Sequence, residues 1–255
     1  MGIEQIGLFV LLGFVVGTIG TLIGAGGGFI LLPLLLLIFP DMPPAELASI
    51  SLGVVFLNAT SGSLAYARLK RIDYRSGALL ALATLPGAIL GAHATQYIPR
   101  KTFDMMLGGV LLIIAIFLLA NPNYQASHPE VPKHRIHRKL TDGLGITHEY
   151  SFNILTGMGV SFVVGFLSSM LGIGGGIIHV PVLVTLLHFP VPIATATSHF
   201  ILAIMAFTGA MTHVAQGDLA NGWRTALAIG AGIVVGAQVG AYFSHHIKPL
   251  WILRT

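Results

Sequence analysis

The sequence predicts an all-α integral membrane protein made of two homologous halves. Three observations predict it. First, 55% of the 255 residues are hydrophobic and only 9% are charged, whereas a soluble domain carries about a quarter charged residues. Second, the chain reads as about nine hydrophobic segments without strict alternation, the pattern of helical spans rather than barrel strands. Third, a glycine-rich tract occurs twice. One copy runs from Gly17 through Gly24-Ala25-Gly26-Gly27-Gly28 to Pro33, the other from Gly165 through Gly172-Ile173-Gly174-Gly175-Gly176 to Pro181, in register without a gap.

The elements follow in order. In the first repeat, residues 1–120, apolar segments cover 5–23, 27–39, 45–67, 76–97 and 102–120. A polar connector, 121–150, follows. In the second repeat, residues 151–255, segments cover 151–171, 175–189, 193–215 and 222–245. A helical span takes about 20 residues. Segments 27–39 and 175–189 are shorter, and each follows a glycine tract, so they read as thin spans, half-helices or re-entrant elements. The repeat extends further: Ile50-Ser51 matches Thr197-Ser198, Ser61-Gly62 matches Thr208-Gly209, and Gly87-xxx-Gly91 matches Gly236-xxx-Gly240. The last pair has the small-xxx-small spacing that lets helices approach closely. The first half has a fifth segment, whereas the second reaches Thr255 a few residues into its equivalent.

Two basic loops set the expected orientation. One holds Arg68, Lys70, Arg71 and Arg75, and the connector holds Lys133, Arg135, Arg138 and Lys139. Two spans separate them, so they share a side, and the positive-inside rule makes it cytoplasmic. If the short segments cross, each half has an odd number of spans, the halves form an inverted repeat and the N-terminus lies outside. If they re-enter, the halves are parallel. The charges favour inversion slightly.

The glycine tracts are the first candidate site. A glycine run opening a helix leaves backbone N–H groups without intrahelical partners, adds the positive end of the macrodipole and allows close approach. Two facing tracts would grip an anion; the alternative is that the glycines serve helix packing alone. A matched pair of glycine-interrupted segments is the sequence pointer to a transporter's midplane binding site. The substrate-binding candidates are Gly24, Gly26, Gly27, Gly28, Gly172, Gly174, Gly175 and Gly176, with the hydroxyls of Ser51, Ser61, Thr197, Ser198 and Thr208; Ser63 and Thr195 are further hydroxyl candidates. Each hydroxyl has the alternative of bonding its own helix backbone. Asn58, in mid-segment, needs a partner and reads as interhelical glue or a ligand.

Histidine breaks the symmetry. His179, His199 and His213 take the places held by Leu31, Leu52 and Tyr66 in the first half. His179 and His199 could meet at the tract and bind an anion or carry a proton, or each could donate one interhelical hydrogen bond. A divalent-metal permease using all three is the alternative function, but no cysteine exists and no buried carboxylate supports it. The connector histidines His128, His134, His137 and His148 read as solvated.

No Asp, Glu, Lys or Arg lies in the middle of a segment. A carboxylate proton relay is therefore disfavoured, and with no acid to orient a base a membrane enzyme is not expected. No catalytic residue, metal or cofactor is assigned. The pI near 9.6 describes loops, and no basic patch with interleaved aromatics points to nucleic acid. The expected partners are the bilayer and a small anionic substrate, with a homodimer as a possible assembly.

The stretch Gly20-Thr21-Leu22-Ile23-Gly24-Ala25-Gly26-Gly27-Gly28-Phe29-Ile30-Leu31-Leu32-Pro33 resembles the signature of the sulfite exporter (TauE/SafE) family. The stretch from Gly165 to Pro181, Thr197-Ser198 and Gly236-xxx-Gly240 resemble its second copy. The resemblance covers essentially the whole chain. It implies a multi-pass permease of the bacterial inner (plasma) membrane that moves sulfur-containing or organic anions, such as sulfite, sulfoacetate or thiosulfate, often outward. The expected mechanism is alternating access about a midplane site at the two tracts.

Overall fold

The computed structural model describes residues 2–120, 135–220 and 222–244. Nine helices and one hairpin lie among them. The first repeat forms α1 (Ile3–Ile23), α2 (Gly28–Ile38), α3 (Pro44–Arg68), α4 (Tyr74–Thr95) and α5 (Arg100–Ala120). Strands β1 (Arg135–Thr141) and β2 (Thr147–Asn153) follow. The second repeat forms α6 (Ile154–Leu171), α7 (Gly176–Thr185), α8 (Val191–Ala215) and α9 (Trp223–Ser244). Seven of these helices are long and apolar enough to cross a membrane; α2 and α7 are the two short ones. Leu112, Ile113, Ile116 and Leu119 on α5 are exposed, the surface lipid would cover.

Glycine placement explains the element boundaries. Gly24 ends α1 and Gly172 ends α6, both left-handed with φ of 87° and 67°. Gly26 and Gly174 repeat the positive φ at 76° and 64°, which residues with a Cβ rarely adopt. The chain therefore reverses. Gly27 packs on Val16 and Phe39 stacks on Phe9, so α2 runs back along α1. Gly175 packs on Val164 and Gly157 on Leu187, so α7 runs back along α6 in the same register.

The long helices pair across the halves rather than within them. A Cβ on Gly13 would collide with the Ile229 carbonyl, and one on Gly236 with that of Phe14, so α1 packs backbone to backbone on α9. Gly87 and Gly91 meet the carbonyls of Phe162 and Phe166 in the same way, joining α4 to α6. Phe14 and Phe162 are equivalent positions, as are Gly236 and Gly87, so one internal symmetry relates the two interfaces. The small-xxx-small spacing acts here. Helices α3 and α8 form the centre. They run antiparallel, Gly62 facing His199 and Gly209 facing Leu52.

The connector contains structure that its sequence was not read to hold. Strands β1 and β2 pair antiparallel from Arg135↔Asn153 to Thr141↔Thr147, and β2 continues past residue 150, so α6 begins at Ile154. The hairpin is seated on the α3–α4 loop. Gly143 N–H donates to Leu69 O at 2.8 Å, Arg71 lies 3.5 Å from Asp142, and Tyr150 Oη donates to Asp73 Oδ2 at 2.8 Å. The two basic loops thus share one side. Tyr150 and Phe152 pack on Phe189 of the α7–α8 connection, so the hairpin bridges both halves. His148 is also drawn in. Its side chain is 14% exposed and its Nε2 lies 3.5 Å from Asp142 Oδ2, a correction to its reading as solvated. His128 and His134 lie outside the described residues.

Candidate functional site

The two glycine tracts touch each other. A Cβ on Gly176 would stand 2.6 Å from Ala25 Cα, and one on Gly28 would collide with the Ile173 carbonyl. These contacts are equivalent under the repeat. Val55 lies against Gly26, Gly28 and Gly174, and Leu202 against Gly26. Val55 and Leu202 sit near the middle of α3 and α8, so the tracts cross at mid-height of the longest helices. All ten residues of 24–28 and 172–176 are buried. In the first tract the N–H groups of Ala25 and Gly26 donate to Gly20 O at 2.8 and 3.1 Å. Those of Gly27, Gly28 and Phe29 have no acceptor among the described residues. These are the groups a helix start leaves open.

Two serines tie the tracts to the central helices. Ser51 Oγ donates to Gly172 O at 2.6 Å, and Ser198 Oγ donates to Gly24 O at 3.3 Å. The bonds are repeat equivalents, each satisfying the carbonyl at which a helix ends. Other expected hydroxyls are placed elsewhere. Ser61 Oγ donates to Val234 O and accepts from Gln238, joining α3 to α9. Thr197 Oγ1 accepts from the Asp73 N–H of the α3–α4 loop at 3.1 Å. Thr208 Oγ1 donates to Ile204 O of its own helix and lines an open groove with Ile89, His93, Phe207, Met211, Thr212 and Gln216.

The histidines are not brought together. His179 Nε2 lies 3.2 Å from Ser161 Oγ on α6. His199 lies edge-on to Tyr66 with ring centroids 5.4 Å apart. His213 Nδ1 lies 2.7 Å from Asp218 Oδ2 at the far end of α8. Among the described residues no group of three His, Asp or Glu side chains is placed to hold a metal ion, so the geometry gives the metal-permease alternative no site.

A polar cluster lies beside the first tract, made of residues that the sequence singled out one by one without bringing them together. Thr21 Oγ1 donates to Asn58 Oδ1 at 2.9 Å, and Tyr66 Oη donates to Thr21 O at 2.8 Å. Asn58 Nδ2, Thr195 Oγ1 and His199 Nε2 are buried without a hydrogen-bond partner among the described residues. Their i, i+4 spacing on α3 (Asn58, Gly62, Tyr66) and on α8 (Thr195, His199) was the available signal, which appears only once α3 is laid against α8.

Seven helices of spanning length, two short helices turned back at paired glycine tracts and an internal symmetry joining the halves define a polytopic α-helical membrane protein. A family model described as Sulfite exporter TauE/SafE matches residues 9–255, and the chain belongs to that family, which makes it a multi-pass membrane transporter. Among its relatives is YunE of Bacillus subtilis, a probable membrane transporter protein. It is 33% identical over 253 residues, covering 96% of this chain and 91% of that protein. A probable membrane transporter protein of Methanocaldococcus jannaschii is 28% identical over 255 residues, covering 95% and 87%. One of Haemophilus influenzae is 29% identical over 243 residues, covering 94% and 86%. No solved structure matches the chain.

Proposed function

We propose that the protein carries a small anion, sulfite or a sulfonate such as sulfoacetate foremost, outward across the inner membrane by alternating access. The observation that carries this reading is the meeting of the two glycine tracts at mid-height. There the N–H groups of Gly27, Gly28 and Phe29 have no acceptor among the described residues, and no Lys or Arg lies in the middle of a segment to meet the anion's charge instead. Helix starts supply partial positive charge in place of side chains, and the tracts belong to segments of the kind that form midplane sites in transporters built of repeats. The inside-negative potential favours anion exit by about 2.3 kcal/mol per charge per 100 mV, so export needs no nucleotide. The halves are read as an inverted repeat, supported by the antiparallel run of the equivalent helices α3 and α8. The hairpin side is assigned to the cytoplasm by its basic residues.

Flux into proteoliposomes tests the reading, with labelled sulfite, sulfoacetate and acetate under an imposed potential. Sulfite or sulfoacetate should move in the direction the potential drives an anion. Gly28→Ala and Gly176→Ala, which place a methyl group in the facing backbone, should stop that movement in protein that still elutes as a single species. If none of the three anions moves, the reading fails.

A further inference from the structure

The internal symmetry gives each residue of the polar cluster a counterpart, and the counterparts are mostly apolar. Asn58 corresponds to Met205, Thr195 to Ala48, His199 to Leu52 and Thr21 to Ser169. The surroundings match. Gly62 faces His199 and Thr21, while Gly209 faces Leu52 and Ser169; Gly24 faces Thr195, while Gly172 faces Ala48. One packing arrangement is therefore built twice, once with polar side chains and once with apolar ones apart from Ser169, whose Oγ is also buried without a partner among the described residues.

The polar copy carries unmet hydrogen-bonding capacity. Thr21 occupies the Asn58 amide oxygen, and the NH2 group of Asn58 is left without a partner among the described residues. Gly62, lacking a side chain, lets the His199 ring lie on α3 between Asn58 and Tyr66. Asn58 and His199 are fully buried and Thr195 is 2% exposed. A buried donor without a partner costs about 1–3 kcal/mol. Three such atoms at one helix junction, where the equivalent Met205, Ala48 and Leu52 carry no polar atom, mark a place where a ligand supplies the partners.

Resting on the anion-transport reading, we infer that this single-sided junction of α1, α3 and α8 is the substrate pocket and that it seats one singly charged oxyanion group, that of a sulfonate or of hydrogensulfite. Asn58 and Thr195 donate to its oxygens, and His199 Nε2 completes the shell beside the tract. No lysine or arginine lies in the middle of these helices. Neutral donors can offset the desolvation of one charge, whereas a second charge on the same seated group, as in sulfate, is far costlier without a cation. The pocket is thus a filter on charge as well as shape, and it exists once per chain.

The mirror half supplies the test, because Met, Ala and Leu already fit the equivalent space. Asn58→Met, Thr195→Ala and His199→Leu should keep the fold and cut methanesulfonate flux into proteoliposomes by about tenfold or more each, as expected for lost hydrogen bonds to a charged group. Thr195→Ser, which keeps the hydroxyl, should retain flux. Sulfate, a dianion of similar shape, should move at least about tenfold more slowly than methanesulfonate through the wild-type protein. Wild-type rates in all three swapped proteins, or equal loss in Thr195→Ala and Thr195→Ser, would overturn the pocket while leaving anion transport standing. Sulfate moving as fast as methanesulfonate would overturn the charge filter. Failure of the wild-type protein to move sulfite, sulfoacetate or methanesulfonate would overturn this inference and the transport reading together.

Discussion

Ser51 and Thr208 carry the same functional group in neighbouring helices and do different work. Ser51 satisfies the carbonyl at which α6 stops, 121 residues away in sequence. Removing it leaves a buried acceptor unpaired, so Ser51→Ala should destabilise the protein by about 1–3 kcal/mol, read as a lowered unfolding midpoint in detergent. Thr208 bonds one turn back along its own helix. Thr208→Ala should leave both the midpoint and sulfite flux unchanged within error; a loss of flux would return it to the substrate path. Both were legible in sequence as hydroxyls in mid-segment. What separated them was not, because a serine bonding a distant helix terminus and a threonine bonding its own backbone look alike until the helices are placed. The histidines teach the same lesson. Their departure from the repeat was visible, but the rotations that send His179 toward α6 and His199 toward α3 depend on tertiary packing.

Among the elements, the hairpin is the one sequence reading passed over. Its strands alternate only weakly and most of its residues are polar. The Asp142-Gly143 turn between them was a hairpin signal, overshadowed by the reading of 121–150 as a connector. The hairpin's docking rests on Asp142 and Asp73. Burial works against the charged form of Asp142. The N–H groups of Ile146 and Leu144, the His148 ring and the Arg71 guanidinium outweigh it and hold the carboxyl below its ordinary range. A depressed carboxyl pKa gives stability that is present above the unfolded value and lost as pH falls through the folded one. Docking should therefore persist at neutral pH and weaken on acidification below the ordinary carboxylate range, seen as faster amide exchange at 141–147. Burial and the neighbouring Asp73 carboxylate raise the Tyr150 phenol pKa, so the group stays a neutral donor. Tyr150→Phe should speed exchange in the same segment at every pH, and unchanged exchange would detach the hairpin from this anchor.

For the whole molecule, the two halves and most helix positions could be read from the doubled tract and the hydrophobic runs. Which helix pairs with which could not, because glycines show that something comes close without saying what. Orientation is the testable property at this scale. Ser76, near the start of α4, is fully buried and bonded to Arg138, so it is a poor probe position. Leu144 at the hairpin turn and Tyr97 between α4 and α5 are 55% and 84% exposed. In this cysteine-free chain, Tyr97→Cys should react with an impermeant thiol reagent added to intact cells and Leu144→Cys should not. The reverse pattern would invert the assignment.

The cross-pairing of α1 with α9 and of α4 with α6 bears on ancestry. Each half leaves its outer helix bare unless the other half supplies the facing groove, so neither half encloses its own interior. On the inverted-repeat reading proposed above, a half-length ancestor would have met that need with a second copy of itself, inserted upside down, and its membrane insertion would have had to tolerate both orientations. Duplication and fusion of the gene would then have fixed one orientation for each copy. Only after that could side chains diverge between the two, as they have at Asn58 and Met205. Co-expressing residues 1–120 and 135–255 as separate chains should therefore regenerate the assembled protein, whereas either fragment alone should be degraded.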